Sequence, residues 1–430
     1  MKSLALSLYS VVMWCSQPFL RLKLMSRGKA EPGYLVNIEE RFGRYAQAAV
    51  QTQGQNNLQD EQFVWVHAVS LGETRAAAVL IVALREHLPG MKLLLTHGTA
   101  TGRAEGQKLL CEGDVQVWQA WDTEASTERF IQHFQPRIGI MMETELWPNM
   151  AAACAKHKVA LVIANARMSE KTYLQTKKFD ALARPAYQSI AAVWPQSAAD
   201  ADRFEKLGAP VAGVFGNLKF DALVDAEQLA KGKNWRSNMS KPVVMFASSR
   251  EGEELQLLQY LQKTDVDVQW LIVPRHPQRF EAVAALIAQH GFKVSKRSDW
   301  AGEPTASDES MIWLGDSLGE MALYYGMSDV ALLGGSFEPL GGQNLIEAAA
   351  CSCPVVMGPS VFNFSEAAAL AIQTGAAFSE NAMPQAVNAA VALSRNINAQ
   401  RKASASALQF AAAHQGAAEK TAAAVVKLLS

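Results

Sequence analysis

From Phe63 onward, short apolar runs alternate with amphipathic stretches, and that alternation restricts this chain to one architecture. Phe63–Val69, Met91–Thr96, Val115–Trp118, Arg137–Met142, Val159–Ile163 and Ala191–Val193 read as strands. Gly72–His87, Gly102–Leu110 and Thr123–Phe134 read as the helices between them. A continuous apolar run marks a strand covered on both faces, and strands joined through helices run parallel. The pattern pauses after Gly216-Asn217-Leu218-Lys219-Phe220-Asp221, where residues 222–242 are polar and read as a linker. It restarts with strands at Val243–Ala247, Val268–Val273, Met311–Leu314, Val330–Leu333 and Pro354–Val356, and with helices over Glu253–Gln262, Phe280–Gln289 and from Asn344. The Ala-rich tail Ala403–Leu429 reads as helix. The expectation is two doubly wound α/β domains whose ligands lie outside the carboxyl ends of their strands, in a central cleft where the two sheets face.

The first thirty residues fall outside this pattern. Leu4–Leu20 is mostly apolar, with Lys2 before it and Arg21, Lys23, Arg27 and Lys29 after it. Seventeen residues is the lower limit for a spanning helix, and Gln17, Pro18 and three serines make this one poor. A short signal-anchor, a monotopic helix and a buried first helix all remain open; the reading preferred is a membrane-seated helix with its basic flank against anionic head groups. Were it to span, the positive flank would leave the rest of the chain in the cytoplasm. The net charge of −1 conceals an asymmetry: residues 1–45 hold seven Lys/Arg against three Asp/Glu. That balance argues against nucleic acid as a partner and leaves a membrane surface open. Five scattered cysteines without a CxxC point to free thiols.

Several motifs sit where strands end. Ser70-x-x-Glu73 follows the first strand; it reads as a helix capping box, and Glu73 is also placed for chemistry. Glu143-Thr144-Glu145 follows another strand and precedes Pro148, so its acids suit either a helix N-terminus or a polar substrate. Arg275, between two prolines, is placed to hold a phosphate. Gly334-Gly335 and Gly341-Gly342 both follow one strand and precede Asn344 and Glu347 at a helix start, a pattern suited to a nucleotide. Asp200-Ala201-Asp202 and Asp265-Val266-Asp267 match a metal-binding DxD, but neither lies at a strand's carboxyl end, so they read as solvated charges. Gly315-Asp316-Ser317-Leu318-Gly319 matches a nucleophile elbow, yet only His414 follows it, and Ser317-x-x-Glu320 is the simpler capping box.

Taken in order, HAVSLGETRAA, METELWPN, NARMS, GNLKFD, EGEE, PRHPQRF, GDSLGEM and GGSFEPLGGQNLIEAAA resemble the 3-deoxy-D-manno-octulosonic acid (Kdo) transferases of lipopolysaccharide synthesis. The resemblance implies a GT-B fold of two Rossmann-like domains with an N-terminal membrane-associated helix. It divides the chain into an anchor segment (1–30), an acceptor domain (31–221), a linker (222–242) and a CMP-sugar domain (243–430). It implies an inverting, metal-independent transfer of Kdo from CMP-Kdo to the lipid A precursor, at the cytoplasmic face of the inner membrane and without a cofactor. Glu73 then matches the general base and Glu143 a second required acid. Arg275, Gly334, Gly335, Gly341, Gly342, Asn344 and Glu347 match the CMP site. The sequence departs from the family pattern at Arg250, at His97-Gly98-Thr99 and at Trp121-Asp122. The alternative is a GT-B enzyme acting on another sugar nucleotide, such as a UDP-sugar.

Overall fold

The computed structural model describes residues 3–45, 63–221, 224–264, 266–304 and 311–430. Lys2, Asp265 and Ser307 lie outside them. The chain divides into two compact units, Met1–Asp221 with Gln415–Ser430, and Ala222–His414.

The first unit is built on six parallel strands: β1 (Val64–His67), β2 (Leu93–His97), β3 (Val115–Trp118), β4 (Ile138–Met142), β5 (Ala160–Ala166) and β6 (Ala192–Pro195). Their order across the sheet is β3-β2-β1-β4-β5-β6. Successive side chains on a strand point to opposite faces, so β1 feeds two cores. Trp65 joins Leu94, Phe130, Met141 and Ile163 on one face. Val64 and Val66 join Leu80, Leu84, Ile140 and Val162 on the other. Both faces are therefore dry, as the unbroken apolar runs require.

Two histidines lie buried at the ends of β1 and β2. His67 Nδ1 lies 2.9 Å from the Thr96 hydroxyl, and His97 Nδ1 lies 2.9 Å from the Ala68 carbonyl. Burial, and for His67 the neighbouring His97, lowers the two to about 3 and about 4. A histidine depressed from its ordinary value of about 6.5 stays neutral in the fold while the unfolded chain takes up a proton. Its stabilising contribution is thus full above about pH 6.5 and is lost as pH falls toward 4. The urea midpoint is expected to fall steadily between pH 7 and pH 4.5, with a shallower slope in His97→Gln; a flat midpoint would refute the account.

The C-terminal helix Ala417–Leu429 belongs to this first unit, which corrects the expectation that 243–430 form one domain. Ala417, Ala418, Ala422 and Val425 are buried in the same core as Leu80 and Leu84 of helix Leu71–His87. Asp221 fixes the start of that helix: its carboxylate accepts from the Gly416 and Ala418 amides at 2.5 and 2.6 Å. The tail is broken at Gly416, whose φ of 97° lies in the left-handed region.

Helix Leu4–Ala30 extends well past the apolar segment, and Pro18 lies inside it. No helix among the described residues is long and apolar enough to cross a membrane.

The second unit carries seven parallel strands: β7 (Val243–Ser249), β8 (Gln269–Pro274), β9 (Val294–Lys296), β10 (Ile312–Leu314), β11 (Val330–Leu333), β12 (Val355–Met357) and β13 (Ala377–Ser379). Their order is β13-β12-β11-β7-β8-β10-β9. The edge strands β9 and β13 were not expected; each is three residues long and partly polar. Residues 226–237 are helix rather than linker, and Asp225 caps it by accepting from the Gln228 amide. Gly232 lets it approach its neighbour closely, since a Cβ there would meet the Leu323 carbonyl oxygen at 2.2 Å.

Candidate active site

Each sheet has one place where successive connections leave in opposite directions, and there the loops part and leave room for a ligand. In the first unit that place is between β1 and β4, which pair with His67 opposite Met141. Glu73 lies in the first turn of helix Leu71–His87, which follows β1, and the loop after β4 begins with Glu143, so the sheet brings these two acids to one edge. In the second unit it lies between β7 and β11, which pair with Ala247 opposite Leu333. The loop after β11 opens with Gly334-Gly335.

Glu73 is the capping-box residue and the candidate base at once. Ser70 accepts from the Glu73 amide at 3.4 Å, while the Glu73 carboxylate accepts from the Val69 amide at 2.8 Å and the Ser70 hydroxyl at 3.0 Å. Burial, with repulsion from Glu143 and Glu145, outweighs these hydrogen bonds and raises its carboxyl to about 7. A carboxylate poised there can take a proton near neutral pH. Glu143 has φ of 59°, a conformation that costs a non-glycine residue energy and that clusters at functional sites. Its backbone is pinned by its N–H, which donates a hydrogen bond to the Ala164 carbonyl at 3.0 Å. Glu145, beside it, is raised by burial.

In the second unit the loop from Gly334 to Gln343 folds back on itself. Gly342 donates to the Gly335 carbonyl at 2.7 Å and Gln343 to the Gly334 carbonyl at 3.0 Å. Gly335, Gly341 and Gly342 all have positive φ. Gly334 is required for closeness: a Cβ would meet the Ser248 carbonyl oxygen, at the end of β7, at 2.1 Å. Arg275 follows β8, donates its amide to the Ser249 carbonyl and its Nε to Gln343 Oε1 at 3.1 Å. Asn344 caps helix Leu345–Ala350 by accepting from the Ile346 amide, with Glu347 in the first turn. The structure thus joins Arg275 and both glycine pairs into one edge of the sheet, with Asn344 and Glu347 next to it.

Two residues there carry functions that the sequence did not assign. Glu253 is fully buried and accepts from the Gly335, Phe337 and Arg250 amides at 2.8, 3.0 and 2.9 Å. It ties the glycine loop to the loop after β7. Glu254, also fully buried, accepts from Ser249 at 2.7 Å and from both Arg279 Nη atoms. The available signal was the EGEE run opening a helix whose next residues are apolar. Arg250 and Arg275 also depress His276, whose main shift comes from burial, so cations gather at this edge. Positive side chains beside backbone amides suit an anion.

The lookalike motifs resolve into structure. Ser317 bonds to Glu320 and Tyr324, and His414 to the Phe410 carbonyl, so they form no catalytic pair. Asp200 is buried rather than solvated: it completes a capping box with Ser197 and accepts from the Met168 amide at 2.8 Å. Asp202 pairs with Lys206. Among the described residues no group of three His, Cys, Asp or Glu side chains could hold a metal ion. All five cysteines are free.

The fold is similar to that of a glycosyltransferase from Rickettsia africae, at a TM-score of 0.55 and 14% identity over 86% of this chain and 98% of that one. It is also similar to UDP-bound HepE of Anabaena, at 0.55 and 12% over 85% and 99%. A profile described as 3-Deoxy-D-manno-octulosonic-acid transferase (kdotransferase) matches residues 36–222. The 3-deoxy-D-manno-octulosonic acid transferase of Bordetella pertussis is 41% identical over 83% of this chain and 85% of its own length. The chain belongs to the Kdo transferase family. The Haemophilus influenzae member is 30% identical over 89% of each chain. The family profile spans both Glu73 and Glu143, so the first sheet's switch point lies inside the region by which Kdo transferases are recognised. The departure at Trp121-Asp122 also falls there, and the structure gives Asp122 a structural partner set: it accepts from the Asn149 and Met150 amides.

Proposed function

We propose that this Kdo transferase moves Kdo from CMP-Kdo to the lipid A precursor, with inversion at the anomeric carbon. The observation that carries the reading is Glu73, a carboxylate raised to about 7 at the switch point of the first sheet. It takes the proton from an acceptor sugar hydroxyl, whose oxygen then bonds to the anomeric carbon of Kdo. The bond from that carbon to the CMP phosphate breaks on the opposite face, and CMP leaves carrying the electron pair. Arg275 and the amides of the glycine loop hold that phosphate, and Glu347 and Asn344 face the rest of the nucleotide. Glu143 keeps the acceptor oriented.

The helix Leu4–Ala30 supports a monotopic seat on the cytoplasmic face of the inner membrane. Leu4, Leu8, Val11, Val12, Phe19, Leu22 and Met25 are all exposed, and most follow one another at helical spacing. Arg27 and Lys29 lie in the last turn of the helix, where they meet anionic lipid.

The test is purified enzyme with lipid A precursor and a CMP-Kdo-generating system, read by product mass. The expected result is a product heavier by whole Kdo residues, whose number counts the transfers. A product formed with UDP-sugars and not with CMP-Kdo would overturn the donor.

A further inference from the structure

We propose that the N-terminal helix is a positioning element for the acid loop of the first unit: Tyr9 and Ser10, through Asp122 and Asn149, hold the end of the loop that carries Glu143. This rests on the reading of Glu143 given above.

The helix Leu4–Ala30 turns an apolar stripe outward, yet two adjacent polar residues point inward. Tyr9 Oη donates to Asp122 Oδ2 at 2.9 Å. Ser10 Oγ lies 2.7 Å from Asn149 Oδ1 and 2.8 Å from the Leu6 carbonyl, so one hydroxyl proton serves two acceptors. Asn149 cannot be turned over without loss, because its Nδ2 donates to the Asp122 carbonyl at 2.7 Å. A helix that only needed to lie on lipid would not require these partners.

Asp122 is fully buried and caps a helix that lacks a side-chain cap of its own. Its Oδ1 accepts from the Met150 amide at 2.8 Å and its Oδ2 from the Asn149 amide at 3.1 Å, the first free amides of helix Pro148–Lys156. Glu143 lies six positions before Asn149 and is held at its own end by Ala164. The loop is therefore clamped at both ends, and the second clamp is completed by the N-terminal helix. A carboxylate held by two amides and one phenol in a dry site loses much when the phenol goes, since a buried acceptor is then short of a donor. Burial already pulls Asp122 up to about 6, against these hydrogen bonds. A shift of the loop by about 1 Å is enough to slow a positioned reaction by 10-fold or more.

The experiment uses the full chain with detergent-dispersed lipid A precursor. Tyr9→Phe and Ser10→Ala keep the fold's volume and leave the outward stripe intact. Tyr9→Phe should lower kcat about 10-fold with KM for CMP-Kdo unchanged. Ser10→Ala should lower kcat in the same way, and Ser10→Thr should restore it. In an Asp122→Asn background Tyr9→Phe should add little, because both act on one contact. Binding to anionic vesicles should match wild type in every variant. Wild-type kcat in Tyr9→Phe and Ser10→Ala, beside an inactive Glu143→Gln, would overturn the proposal. So would a lowered Tm with kcat per folded molecule unchanged, which is what a purely structural contact gives. Full activity in Glu143→Gln would instead overturn the reading of the acid itself, and with it the object being positioned.

Discussion

Glu73→Gln is expected to slow transfer by about 10²- to 10⁴-fold while moving Tm by only a few degrees. The rate falls because an amide cannot take the hydroxyl proton. The stability change is small because two effects oppose. Gln keeps a carbonyl oxygen for the Val69 amide or the Ser70 hydroxyl but not both, so part of the cap is lost. It also removes a charge that burial and two neighbouring acids disfavour. The pH profile gives a second check. A carboxyl raised to about 7 is protonated below that value, so the base fraction, and with it kcat/KM, falls about tenfold per unit as pH drops from 7. The acid limb should vanish in the residual activity of the Gln variant. Retained turnover would remove Glu73 as the base; collapse of the fold would make it a cap and nothing more.

Glu253→Gln should weaken CMP binding at least 10-fold and cost the second unit about 2–4 kcal/mol in urea unfolding. The carboxylate receives three backbone amides and is completely buried. An amide in its place offers one oxygen and turns two N–H bonds toward donors that have nowhere else to go. Gly335 and Phe337 are among those donors, so the glycine loop loosens, and Gly334 loses the support that holds it against Ser248. Calorimetric titration with CMP measures the first effect. Wild-type affinity in a destabilised variant would separate this carboxylate from the donor site.

The capping box and the strand end before Glu73 are both legible in Ser70-x-x-Glu73. In the fold the carboxylate lies buried near Glu143 and Glu145, and burial with their repulsion raises it. That depends on residues seventy positions away, which no local pattern reports. The parallel sheets were legible because their strands are unbroken apolar runs. β9 and β13 were not, because a three-residue edge strand such as Val294-Ser295-Lys296 needs only one covered face. The helix at 226–237 was hidden by KGKNWRS, where Gly232 reads as a breaker and is instead the point of closest approach. Asp122 was noted only as a departure from a family pair; its role needs Tyr9 from one end of the unit and Asn149 from another.

The return of Ala417–Leu429 to the first unit bears on how this enzyme is made. A nascent chain usually completes its N-terminal domain while the ribosome is still translating the next one. Here the core that contains Leu80 and Leu84 stays open on one side until residues 417–429 emerge. The second unit is synthesised entirely within that interval. It has every element it needs before its predecessor receives its last helix, so the order of synthesis and the order of completion are reversed. The apolar wall awaiting its last helix is also, for that time, a surface that a chaperone can hold.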